Sequence, residues 1–253
     1  YSLRDDLNKR AARLMAVLQP LRLVITNYPE DKKEELKAPS FPQNPESTET
    51  RTIPFSKTVY IERDDFMENP SKGFHRLAPG TEVRLRYAYV IRCDEVLKNP
   101  KTGDIEEIRC TYDPKTLGRN PEGRKVKTAI HWVSAQDALR AEVRLYDRLF
   151  QDEDPETAAA ESSLQAIINP KSCLTLREVP IEPSFQQRHS HYQFERIGYF
   201  CLDPEDSNSD ALVFNRTVTL KDSWSKEAQN KPATQERQTK QEEQSPKARS
   251  QEE

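Results

Sequence analysis

The sequence predicts a mainly β protein of barrel or sandwich type, and three observations carry that reading. From about residue 20 to 224 the chain is a succession of short β-rich stretches separated by Pro, Gly, Asn and Asp clusters. Strict alternation marks residues 83–90, where Val83, Leu85, Tyr87 and Tyr89 share one face and Arg84, Arg86, Ala88 and Val90 the other. Helical spacing is confined to two places, the first 18 residues and a short stretch after residue 155.

The elements follow in chain order. Leu3, Leu7, Ala11, Leu14, Met15 and Leu18 recur at spacings of three and four and predict a helix over 1–18. Ser2 and Asp5 stand as a capping-box start, and Pro20 ends the helix. Strands are expected near 21–26, 57–63, 82–97 with a bend, 105–112, 126–134, 141–149, 172–179, 192–202 and 212–220. Lys101, Thr102, Gly103 and Asp104 have hairpin-turn composition. Ala158 to Ala160, Leu164, Ile167 and Ile168 give a second, short helix over 156–168, stopped by Asn169 and Pro170. Residues 226–253 hold six basic side chains, six acids and six Gln with no large apolar residue; nothing there offsets the entropy of ordering, so a disordered tail is expected.

Composition excludes several functions. Six glycines in 253 residues, none grouped, cannot build the phosphate-cradling loops that self-contained nucleotide sites need. Cys93, Cys110, Cys173 and Cys201 include no C-x-x-C pair, so neither a zinc knuckle nor a thioredoxin-like site is expected. His189 and His191 lack an acid or Cys at metal-ligand spacing, no G-x-S-x-G elbow exists, and Asp64, Asp65 and the 152–154 acids read as turn or capping residues. No metal and no catalytic residue is therefore assigned. The longest apolar run falls far short of the roughly 20 residues that cross a bilayer, and the expectation is a soluble, cytoplasmic, monomeric chain without a membrane partner. Because Tyr1 is not Met, the sequence reads as a piece of something longer.

Binding chemistry is richer. The net charge is -3, but two segments are locally basic: Lys72, Arg76, Arg84, Arg86 and Arg92 against Glu82, and Lys115, Arg119, Arg124, Lys125 and Lys127 against Glu122. Unstacked RNA bases are read by Arg and Gln at their edges and by aromatic faces. Phe74-His75-Arg76, Arg84 and Arg86 beside Tyr87 and Tyr89, and Tyr192-Gln193-Phe194-Glu195-Arg196 interleave those residue types.

The stretches ARLMAVLQPLRLVITNYPED (12–31), PFSKTVYIERDDF (54–66), KGFHRLAPGTEVRLRYAYVIRC (72–93), CTYDP (110–114), GRKVKTAIHWVSAQDA (123–138), AEVRLYDRLF (141–150), QFERIGYFCLD (193–203) and FNRTVTLKDSW (214–224) resemble, in order, the C-terminal half of the glutaminyl-tRNA synthetases, which are class I aminoacyl-tRNA synthetases. Glutamyl-tRNA synthetases of archaeal and eukaryotic type share this region, but GRKVK followed by IHWVSA is more similar to the glutaminyl branch. A free-standing RNA-binding barrel is the remaining alternative.

The resemblance implies two anticodon-binding β-barrels after a helical connector. Connector 1–19, proximal barrel 20–71 with 151–225, distal barrel 72–150 and tail 226–253 are the implied bounds. Carried over by motif, Arg13, Gln193 and Arg196 correspond to readers of the middle anticodon base, Arg76 to a reader of the third, and Arg84 and Arg86 to contacts at the first base and its phosphate. Lys72, His75, Lys125, Lys127 and Lys221 are candidates for RNA backbone contacts. The sequence departs from the family at His75, where Lys is common, at Lys221, where Arg is frequent, and at Phe41, which replaces a His. The implied partners are a glutamine tRNA and an N-terminal catalytic domain of the same protein. ATP and Mg²⁺ are expected only there: this chain has no His-x-Gly-His, and neither Met15 nor Met67 is followed by Ser-Lys. Alone, the chain is expected to be inactive.

Overall fold

The computed structural model describes residues 3–151, 154–157 and 163–220. Ser2, Asp152, Glu153, Ala158 to Ala160, Lys221 and the expected tail lie outside them. The described residues are mainly β, in two sheets that each come back on themselves and a separate hairpin.

Helix α1 (Leu3–Arg10) has Asp5 and Asp6 in its first turn and Lys9 and Arg10 in its last, the arrangement that complements the helix dipole. Leu7 packs with Ala11 and Tyr199. The expected continuation to residue 18 does not occur. Residues 11–17 are all buried, and β1 (Ala12–Leu14) instead runs parallel to β13 (Tyr192–Phe194). A strand covered on both faces has no polar side, so its apolar residues mimic helical spacing.

β1 opens the first sheet, and the chain then leaves it for more than a hundred residues. It returns at β11 (Leu139–Tyr146), β12 (Cys173–Ile181), β13, β14 (Gly198–Leu202) and β15 (Leu212–Thr219), in the order β1-β13-β14-β15-β11-β12. The Ala16–Ile181 bridge and the Val17 amide donating to the Pro180 carbonyl (3.0 Å) tie the two edges together. Phe194 and Phe200 stack at its centre, ring centroids 4.1 Å apart, with Phe214 edge-on.

The inserted sheet comprises β2 (Pro20–Ile25), β5 (Thr58–Glu62), β6 (Glu82–Leu85), β7 (Val90–Lys98), β8 (Ile105–Asp113), β9 (Ala129–Ile130) and β10 (Trp132–Ser134). Its order is β10-β5-β2-β8-β7-β6-β9, so the two edge strands are consecutive in sequence with only His131 between them. That adjacency nearly closes the barrel, which Leu23, Ile61, Leu85, Ile108 and Trp132 fill.

The hairpin β3 (Glu34–Pro39) and β4 (Thr50–Phe55) was not expected. Pro39 and Pro54 argue against strands, but a two-stranded ribbon has only edges, where Pro is tolerated. Strand partners also depart from the implied bounds. β2 pairs with β8 and β5 with β10, while β11 pairs with β12 and β15, so strand pairing crosses the implied bounds. Alternation sets a strand's faces but leaves its partners open.

Two expected single strands are hairpins. Residues 82–97 fold back at 86–89, bringing Glu82 opposite Arg92, and 192–202 fold back at 195–197, bringing Phe194 opposite Gly198. Within the expected second helix, 156–157 and α2 (Leu164–Ile167) are helical, and 158–162 lie outside the described residues.

Candidate nucleic-acid interface

Those two turns, the first foreseen only as a bend, carry the site. Tyr87 (φ 62°) and Arg196 (φ 68°) both hold the left-handed conformation that a non-Gly residue adopts at a cost of about 1–2 kcal/mol. In an extended strand Glu195 and Arg196 would point to opposite faces; the left-handed turn aims each at its own cluster on the inserted barrel.

Glu195, 2% exposed, takes the first cluster. Its carboxylate accepts from the Arg51 Nη2 (2.5 Å) and the Tyr87 hydroxyl (2.9 Å). It also lies in ion-pair contact with Arg86 Nε, whose N–H is not aimed along a hydrogen bond. Arg51 comes from β4 and donates through Nε to Glu182 (2.6 Å). Glu182 further accepts from the Met15 amide (2.9 Å) and the Ser184 hydroxyl. Burial pushes the Glu182 carboxyl up against the pull of Arg51. Burial also works against the charge on Arg51, but Glu182 and Glu195 together outweigh it and raise its pKa.

Arg196 takes the second cluster. It grips Asp65 with both terminal nitrogens (2.5 and 2.7 Å) and donates to His131 Nδ1 (2.9 Å). That contact requires an unprotonated Nδ1. Arg76 shares the same carboxylate through Nε at 3.4 Å and donates to the Asp64 carbonyl (2.9 Å).

The other sequence-predicted residues divide by burial. Parallel pairing places Arg13 beside Gln193, and Gln193 pairs in turn with Tyr199. Arg13 is buried and donates to the Asn8 side chain (2.6 Å) and the Ala11 carbonyl (3.2 Å). Arg84 does not point with Arg86 as alternation suggested: it donates to the carbonyls of Ala88 (2.9 Å) and Thr116 (2.7 Å), fixing the loop that follows β8. Lys72, His75, Lys125 and Lys127 are exposed and stand outside both clusters. Lys221 lies outside the described residues. Phe41 packs edge-on against His189.

Open clefts flank the paired turns. One, about 530 Å³, is lined by Arg84, Tyr87, Lys37, Arg119 and Asn120 among others. The other, about 740 Å³, is lined by Gly73, Phe74, His75, Arg76, Arg63 and Thr128 among others. Arg86 contacts Glu195, and the next residue in that turn, Arg196, shares Asp65 with Arg76. Guanidinium groups held in this way present fork donors for base edges and phosphates. Among the described residues no group of three His, Cys, Asp or Glu side chains is placed to hold a metal. Nor is any helix long and apolar enough to cross a membrane.

Sequence reasoning passed over Arg51, Glu182 and the real role of Asp65. A buried acid carries no local signal; only the pairing of Arg with an acid more than 130 residues away reveals it.

Comparison with known proteins agrees with this architecture. Two family models described as "tRNA synthetases class I (E and Q), anti-codon binding domain" match residues 11–113 and 129–203, and the chain belongs to that family. Its relatives include the glutamine–tRNA ligase of Pseudomonas putida, 54% identical over 226 residues, covering 88% of this chain and 39% of that protein. The glutamine–tRNA ligase of Pseudomonas syringae pv. tomato is 53% identical with the same coverage. That of Nitrobacter hamburgensis is 53% identical over 231 residues, 90% of this chain and 40% of that protein. The chain thus spans about two fifths of the length of these relatives.

Proposed function

We propose that this chain is the anticodon-reading part of a glutamine–tRNA ligase. It recognises the glutamine tRNA so that a catalytic domain elsewhere in the protein can attach glutamine with ATP and Mg²⁺. The observation that supports it best is the pair of buried carboxylates, Glu195 and Asp65, that hold Arg86, Arg196 and Arg76 in partly exposed positions. On this reading Arg86, the group of Arg13, Gln193 and Arg196, and Arg76 serve as separate stations for three unstacked bases. Ordered hydrogen-bond donors read base edges, while exposed Lys125 and Lys127 act as point charges on phosphate.

Binding to a synthetic anticodon stem-loop RNA reading glutamine codons, against single-base variants, tests the reading. The expected result is selective binding whose logarithm falls with log salt at a slope of about -0.7 per phosphate contact on single-stranded RNA. Equal affinity for cognate and variant RNAs overturns it. Preference for the glutamate anticodon assigns the chain to the glutamyl branch instead. Pyrophosphate exchange by the purified chain is expected at background level, and exchange above it overturns the assignment of catalysis to another domain.

A further inference from the structure

We propose that Asp65 is a positioning residue that couples the reading of the middle and third anticodon bases through one carboxylate shared by Arg196 and Arg76. The inference rests on the anticodon-reading function above and goes beyond it, because Asp65 itself faces neither cleft as a base contact.

Three features carry it. Asp65 is 1% exposed, so its charge is compensated by what touches it and not by water. It sits in the short 3-10 turn Arg63–Asp65 that follows β5, and that turn also fixes the backbone bearing Arg76: the Leu77 amide donates to the Asp65 carbonyl (3.0 Å) and Phe66 bridges Leu77. Its Oδ1 is divided between Arg196 Nη2 at 2.7 Å and Arg76 Nε at 3.4 Å.

Two guanidinium groups from different barrels thus converge on one buried anion. Arg196 takes the larger share, leaving Arg76, which also donates to the Asp64 carbonyl, on a longer contact and 45% exposed. Any base that draws Arg196 away from Asp65 strengthens the carboxylate's hold on Arg76, and any base that draws Arg76 outward tightens Arg196. Neither arginine can be re-aimed without moving the other. His131, which accepts from Arg196 through Nδ1, restrains one member of the pair but does not touch Arg76.

The test uses the full chain, synthetic anticodon stem-loop RNAs varied singly at the first, middle and third anticodon base, and the variant Asp65→Asn, which keeps the shape and removes the charge. Discrimination at the middle and third bases is expected to fall together by about fivefold or more, the ratio given by ~1 kcal/mol of lost base discrimination, while first-base discrimination is retained. Arg76→Ala is expected to lower third-base discrimination in the parent chain and to add little in the Asp65→Asn background, because the effect of Asp65 there runs through Arg76. Where Asp65→Asn does not fold, Arg196→Ala serves. It leaves Asp65 in place, and third-base discrimination is expected to fall although Arg196 does not read that base.

Loss at only one of the two bases, additive effects of Asp65→Asn and Arg76→Ala, or equal loss at all three bases overturns the inference. A parent chain that discriminates at no base overturns the function on which it rests, an outcome distinct from a discriminating parent whose Asp65→Asn variant discriminates equally well.

Discussion

The two carboxylate clusters at the barrel junction use the same chemistry for opposite ends. Around Glu195 the partner Arg51 is 5% exposed, Glu182 is fully covered, a tyrosine hydroxyl joins the set, and Arg86, 37% exposed, is its solvent-facing member. Around Asp65 the carboxylate is equally buried, but its arginines Arg196 and Arg76 are 25% and 45% exposed, and Arg76 lines an open cleft. Burying both partners of an ion pair yields little net stability over an apolar pair of the same shape, yet removing one partner is costly. The first cluster therefore fixes how two barrels and a hairpin meet. The second keeps cationic forks at a set angle while leaving their outer edges available.

Arg51→Met is the change that should separate the clusters most. It strips buried Glu182 of its cation and leaves Glu195 only Arg86 and the Tyr87 hydroxyl, and the expected destabilisation is about 3–5 kcal/mol, read by urea or thermal unfolding. Selectivity among anticodon variants should persist in whatever fraction remains folded. Selective loss at one base with unchanged stability would show that Arg51 belongs with the readers and erase the contrast.

Arg196→Ala should act the other way. It should cost about 1–3 kcal/mol of discrimination at the middle base, measured by RNA competition, with some loss of stability because Asp65 keeps only Arg76 and its longer contact. A stability loss as large as that of Arg51→Met with no change of specificity would make Arg196 a structural tie as well.

A third prediction concerns the hairpin that delivers Arg51. Burial pushes the Glu34 carboxyl up, but hydrogen bonds from Lys32, Tyr89 and Tyr28 outweigh it and hold its pKa below the usual carboxylate range. A carboxyl depressed in the folded state contributes stability that is complete above its unfolded pKa and is lost as pH falls through the folded one. Unfolding free energy should therefore decline as acid is added below the ordinary Glu range. Glu34→Gln should flatten that part of the profile, and an unchanged acid limb would show that Glu34 does not stabilise the hairpin.

Lys125→Ala should have the smallest effect. Lys125 is exposed and outside both clusters, so affinity for all RNAs should drop by the same modest factor, with the salt slope reduced by about 0.7. A change confined to one base variant would place a reader where only a phosphate contact is expected.

Several parts of this molecule were legible in its residues. Alternation located β2, β5, β8 and β15 to within a residue or two, because a half-buried strand writes its two faces into every second position. The interleaving of Arg, Gln and aromatic residues pointed to RNA, and the ordered motifs pointed to the family. The β13–β14 turn was less legible: Gln193, Glu195 and Arg196 were visible as a motif, but the left-handed backbone at Arg196 that separates their directions was not.

What the sequence determined by itself was therefore what neighbours along the chain can specify: which segments extend, which faces are apolar, and which side chains can donate to a base. What only the tertiary structure decided was the company those side chains keep. It turned 12–14 from helix to strand, added the β3–β4 hairpin, joined 20–62 to 82–134, and set Asp65 against Arg196 and Glu195 against Arg51, contacts that span 131 and 144 residues. Such contacts depend on the closure of two separate sheets. A buried carboxylate satisfied across a barrel junction has no partner within its own segment, so no local pattern records it.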